Sequence, residues 1–135
     1  MKKIVAIIEK GEDGGYGIYA ADDSIPVVGN GMTEEEARKD FESVAYEQAE
    51  YIKERLGEYP EWFDGTTVID YRYDMTAFFQ AFPFINATEL AKSVGINPSL
   101  MRKYKSGIVK AGEKQKNLIQ QKFDDIAARL RAVRF

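Results

Sequence analysis

The stretch from Asn86 to Gly107, NATELAKSVGINPSLMRKYKSG, constrains the fold more tightly than any other part of the chain. Its start and stop signals specify two short helices and the corner between them. Asn86 is a favoured helix cap, and Gly95 supplies the positive φ with which helices commonly end. Leu90, Ala91 and Val94 then share one face, and Ile96 fills the corner. Asn97 followed by Pro98 restarts a helix, because proline suits the first helical position. That second helix runs to about Lys105, with Gly107 beyond it. Ala91 and Met101 face inward, and Ser99, Arg102 and Lys103 point out. The spacing predicts a helix-turn-helix, the arrangement that places a helix in the major groove of DNA.

Charge agrees with that reading. Residues 1–74 hold 8 basic and 18 acidic side chains, a net −10, whereas residues 75–135 hold 11 and 4, a net +7. A basic segment carrying such a motif is the electrostatic footprint expected of a DNA binder. DNA would repel the acidic segment, which therefore serves another partner or solubility. The 135 residues contain neither cysteine nor histidine. Disulfides, thiolate chemistry, histidine bases and the commonest zinc ligands are thereby excluded, and no cofactor or metal is expected. Lys2-Lys3 followed by Ile4 to Ile8 mimics a leader peptide, but the apolar run is too short. No membrane span is expected, and the expected location is cytoplasmic.

The first half predicts β-β-β-α-β, an α+β arrangement. Lys3 to Glu9 and Gly15 to Ala20 form a hairpin around Glu12-Asp13-Gly14-Gly15. Ile25 to Val28 give a short third strand that Gly29-Asn30-Gly31 ends. Thr33 to Glu36 is a capping box, opening one long helix to Gly57 with Ala37, Phe41, Val44, Gln48, Tyr51 or Ile52, and Arg55 or Leu56 on its apolar face. Glu58 to Thr66 is an aromatic loop around Trp62, either a lid on the core or an interface anchor. Thr67 to Tyr73 is the last strand. The period then changes, placing a domain boundary at 74/75. Ala77 to Phe82 is a short helix stopped by Pro83, and a last helix from Glu113 to about Val133 carries Leu118, Ile119, Phe123, Ile126, Leu130 and Val133. The stripe Ile119, Phe123, Ile126 and Leu130 suits a helix partner in a dimer or the domain's own core.

Two motifs carry a resemblance. Asp13-Gly14-Gly15-Tyr16 and Gly29-Asn30-Gly31-Met32-Thr33-Glu34-Glu35-Glu36-Ala37 resemble the hairpin turn and helix start of the HicB antitoxin family. Residues 75–135 are similar to the lambda-repressor-type helix-turn-helix domain that many HicB proteins carry. Ser24-Ile25-Pro26-Val27-Val28 stands where the family often has a Leu-Pro-Gly-Cys-like segment. The resemblance implies a partial ribonuclease-H-like domain that occludes a small basic ribonuclease toxin, HicA, and a second domain that binds the operon's promoter.

Within the helical pair Ser99, Arg102 and Lys103 are the candidates for base edges, with a thymine methyl contact from Leu100. Lys105, Lys110 and the amides at Asn97 are placed for phosphate. Tyr104 is expected to pack its ring and leave its hydroxyl at the DNA-facing edge. A homodimer or higher oligomer on two half-sites would supply specificity. Two other functions fit the residues: a solo transcriptional regulator, and a metal-dependent nuclease, for which Glu9, Asp70 and Asp74 lie in or at the end of strands but only Glu9 and Asp70 suit catalysis. The nuclease is the weaker, since most acids lie on turns and helix surfaces.

Overall fold

A computed structural model of the protein describes residues 2–135. It is α+β: four strands in one mixed sheet and five helices. The chain divides into two compact units, the first ending at Phe78 and the second beginning at Phe79.

In the first unit β1 (Lys3–Lys10) and β2 (Tyr16–Ala20) form the expected antiparallel hairpin, with Ile8 opposite Ile18. The sheet order is β3-β2-β1-β4, with β4 (Val68–Tyr73) parallel to β1. Alternation sends Ile4, Ala6, Ile8, Ile18 and Ala20 to one face. Helix α1 (Glu34–Leu56) packs there through Ala37, Phe41, Ala45 and Ala49. Ala37 and Phe41 are on the line the spacing gave, with Val44 packed beside them, but Ala45 and Ala49 complete it; of the paired alternatives Ile52 is half-buried while Tyr51, Arg55 and Leu56 are exposed.

The third strand differs from expectation. β3 is Val28–Gly31, so Gly29-Asn30-Gly31 is a strand and does not terminate one. The reason is the helix above it. A Cβ on Gly29 would lie 2.5 Å from the Phe41 nitrogen, and one on Gly31 would lie 2.5 Å from the Ala37 nitrogen. Only glycine lets this strand and the first turns of α1 approach so closely. Thr33 caps α1 by accepting from the Glu36 amide, while the Glu36 carboxylate accepts from the Met32 amide. The helix ends at Gly57 in the left-handed region. Trp62 packs partly buried against the core, and Phe63 makes edge contacts with Tyr46, Tyr59 and Trp62. The Tyr59 hydroxyl donates to Glu50 at 2.6 Å. The aromatic loop is therefore a lid.

Helix α2 (Met75–Ala81) starts two residues earlier than expected, because the Asp74 carboxylate accepts from the Ala77 amide and the Thr76 hydroxyl. The division between the two compact units falls inside it, between Phe78 and Phe79. Two contacts hold its first turn to the sheet: the Lys10 amide donates to the Thr76 hydroxyl at 3.0 Å, and Ala77 joins the sheet–helix core. The second unit continues with α3 (Ala87–Val94), α4 (Pro98–Ser106) and α5 (Glu113–Ala132). Its centre is built from Leu90, Ala91, Ile96, Met101, Tyr104 and Ile119. No helix among the described residues is long and apolar enough to cross a membrane.

Candidate nucleic-acid interface

Local bonds build the α3–α4 pair. Asn86 caps α3 by accepting from the Glu89 amide at 3.0 Å, and Gly95 ends it at φ 86°. Ile96, 5% exposed, closes the corner. The Asn97 side chain then accepts from the Ser99 amide at 2.8 Å, and Pro98 occupies the first turn of α4. Gly107, at φ 82°, ends α4 and donates back to the Lys103 and Tyr104 carbonyls. Each of these bonds satisfies a backbone group that a helix end leaves orphaned.

Burial separates the residues of α4 by role. Met101 is fully buried and Tyr104 is 4% exposed. The Tyr104 ring packs inward as expected, three positions after Met101 on the same helix face. Ser99, Arg102, Lys103 and Lys105 are all exposed, and Leu100 is half-buried. Arg102 and Lys103 thus share a solvent-facing arc with Ser99 one turn before them. Asn97 is exposed, and its carbonyl oxygen is occupied as the cap. The Ser99 amide is occupied by the same bond, so it is turned inward to Asn97. The Lys105 ammonium sits 5.7 Å over the Phe79 ring, which places its charge beside the start of the unit. Lys110 is exposed in the loop after α4.

Sequence reasoning missed one residue. The Arg102 Nη1 group donates to the Thr88 hydroxyl at 3.1 Å, linking the middle of α4 to the first turn of α3. No short spacing announces a pair fourteen residues apart, and only the crossing of the helices brings it together.

Elsewhere the acids named for nuclease chemistry hold other positions. Asp70 pairs with Arg72 at 2.8 Å and with Lys3 at 3.5 Å. The Arg72 guanidinium hydrogen-bonded to Asp70 holds that carboxyl below the usual carboxylate range, with Lys3 acting in the same sense. Asp74 is the cap of α2. Glu9 lies in β1 opposite Gly17. Among the described residues no three acids gather where they could hold a metal ion.

Comparison with family models, curated proteins and solved structures returns no match.

On α5 the stripe considered for dimerisation is divided. Ile119 is buried within the second unit, Phe123 and Ile126 are half-buried, and Leu130 is 65% exposed. The N-terminal half of the helix is therefore spent on the unit's own core against α3. Leu130, Val133 and Phe135 remain outside it.

Proposed function

We propose that the protein is an antitoxin and autorepressor of the HicB type, in which the acidic first unit occludes a small basic ribonuclease and the basic second unit binds operator DNA. The observation that carries the DNA half is the exposed arc of Ser99, Arg102 and Lys103 on a short helix whose other face is buried. A helix of this kind, opened by a proline and crossing a second helix at a glycine turn, suits major-groove docking as a helix-turn-helix. Arginine or lysine to guanine is then the commonest specific contact, and Lys105 and Lys110 supply phosphate contacts.

The sheet order β3-β2-β1-β4, with α1 leading into a parallel β4, is compatible with the partial ribonuclease-H-like fold that the resemblance implies. In this reading the first unit is non-catalytic, because Asp70 and Asp74 are committed to an ion pair and a helix cap. Its exposed acids on α1, such as Glu35 and Glu42, would steer a basic partner and exclude wrong ones. Operator binding requires two copies of the second unit on half-sites about 34 Å apart, one helical turn of DNA.

Co-expression with the product of the adjacent gene tests the antitoxin half. A tight complex with a small basic ribonuclease whose activity is lost on binding is expected. A chain that represses its promoter with no such partner is instead a solo regulator. For the DNA half, promoter affinity is expected to fall with salt at a log-log slope of about −0.9 per phosphate neutralised. Unchanged affinity in the double variant Arg102→Ala, Lys103→Ala would remove α4 as the reading helix. Magnesium-dependent cleavage that vanishes in Glu9→Ala, Asp70→Ala would establish a nuclease.

A further inference from the structure

The bond between Arg102 and Thr88 differs in kind from the arginine ion pairs of the first unit, and it joins two helices, whereas the comparable Arg55–Tyr51 hydroxyl bond lies within α1. Arg38 pairs with the Glu34 carboxylate at 2.7 Å, and Arg72 pairs with Asp70 at 2.8 Å. Each of those guanidinium charges is largely neutralised where it stands. Arg102 is held instead by a hydroxyl, 3.1 Å from its Nη1. A hydroxyl fixes direction without cancelling charge. The bond uses one of the five donors of the guanidinium and leaves the others as a planar fork.

Thr88 is a good post for this purpose. It is the second residue of α3, half-buried, and sits on a helix that Asn86 and Gly95 cap at both ends. A β-branched side chain in a helix has few χ1 choices, so its hydroxyl position is narrowly set. A free arginine loses rotamer entropy on being fixed. An arginine already tethered across the helix pair has given up part of that freedom before any ligand arrives, which is preorganisation.

We infer that Thr88 is a positioning residue for base recognition: it orients Arg102 so that the remaining guanidinium donors address one guanine in the major groove. This inference rests on the DNA-binding reading above. It assigns sequence discrimination to a residue on α3 that itself need not touch a base. It also separates Arg102 from Lys103, whose ammonium is a rotatable point charge, so that base preference concentrates on the arginine.

The test is selection from a library of random-sequence DNA duplexes by the full chain, comparing the natural sequence with Thr88→Val, Thr88→Ser and Arg102→Ala. The natural chain should select a site containing one guanine whose preference disappears in Arg102→Ala. Thr88→Val, nearly the same shape without the hydroxyl, should reduce preference at that same base pair roughly three- to tenfold, the size of one net hydrogen bond. It should leave the salt slope unchanged, since no phosphate contact is removed. Thr88→Ser should keep the preference, and adding Thr88→Val to Arg102→Ala should change nothing further. Full preference in Thr88→Val, or an equal loss with and without Arg102, overturns the assignment of Thr88. A natural chain that selects no site at all overturns the DNA-binding reading itself and this inference with it. Circular-dichroism melts of each variant show whether a lost preference is only a lost fold, and retention in Thr88→Ser with loss in a folded Thr88→Val supports the inference.

Discussion

Replacing Gly29 with alanine adds one methyl group at one of the two tightest contacts between sheet and helix. The new Cβ would stand 2.5 Å from the Phe41 nitrogen and 2.7 Å from its Cα and Cβ. Ordinary contact begins at 3.4 Å, so β3 and α1 must separate by about 0.9 Å. The obstacle is backbone, which cannot rotate away as a side chain would. Gaps of that size forfeit a quarter to a half of each dispersion contact along the seam, and Phe41 is fully buried there. Overpacking typically costs ~1–3 kcal/mol, and a rigid obstacle places this variant at about 3 kcal/mol. Gly29 is not among the glycines with positive φ, so backbone strain adds nothing. The lower entropy of unfolded alanine returns only about 0.4–1 kcal/mol. For a unit of this size the melting temperature should fall by roughly 10–20 °C. Trp62, the single tryptophan, packs against this core, so its fluorescence during urea unfolding reports the first unit selectively. Gly17→Ala is the control. Its Cβ would meet nothing nearer than 3.6 Å, and its cost should stay within about 1 kcal/mol. A Gly29→Ala chain within about 0.5 kcal/mol of the parent, or one no worse than Gly17→Ala, would refute the close-approach account of β3.

Two other expectations concern the second unit and the tyrosines. Asn97→Ala removes the bond to the Ser99 amide and should destabilise the second unit by ~1 kcal/mol, read as a lower melting temperature by circular dichroism. Asn97→Asp should retain that stability; if both variants are equally stable to the parent, the cap contributes nothing. Burial raises the Tyr71 hydroxyl to about 12, with the Glu42 charge adding to it; burial does the same for Tyr73, with its hydrogen bond to Glu34 second. Both groups are neutral in the folded chain at pH values where the unfolded chain has begun to ionise. Their contribution is therefore complete below pH 10, falls as pH rises toward about 12, and is gone above it. Tyrosinate absorbance followed alongside Trp62 fluorescence should show the first unit losing stability across that window. A Tyr71→Phe, Tyr73→Phe chain with the same alkaline loss would show that other groups govern it.

The helix ends were legible because their determinants are local. Thr33 with Glu36, Asn86 with Glu89, and Asn97 with Ser99 are bonds spanning two or three residues, and Gly57, Gly95 and Gly107 take the left-handed conformation that few other residues adopt readily. The outward placement of Ser99, Arg102 and Lys103 followed from the same periodicity. What the tertiary structure alone decided lies between elements distant in the chain. Gly29-Asn30-Gly31 has the composition of a turn, yet it is a strand, because its glycines face α1 where a methyl group would collide with helix backbone. The first turn of α2 belongs to the sheet unit through a bond from Lys10 to Thr76, sixty-six residues apart. Thr88 met Arg102 across the α3–α4 crossing. Sequence by itself determined which segments are helical and where they stop, since capping and periodicity act over one turn of chain. Packing determined which glycines are contacts, where the units divide and what holds the candidate reading arginine, since those depend on distances that no spacing along the chain encodes.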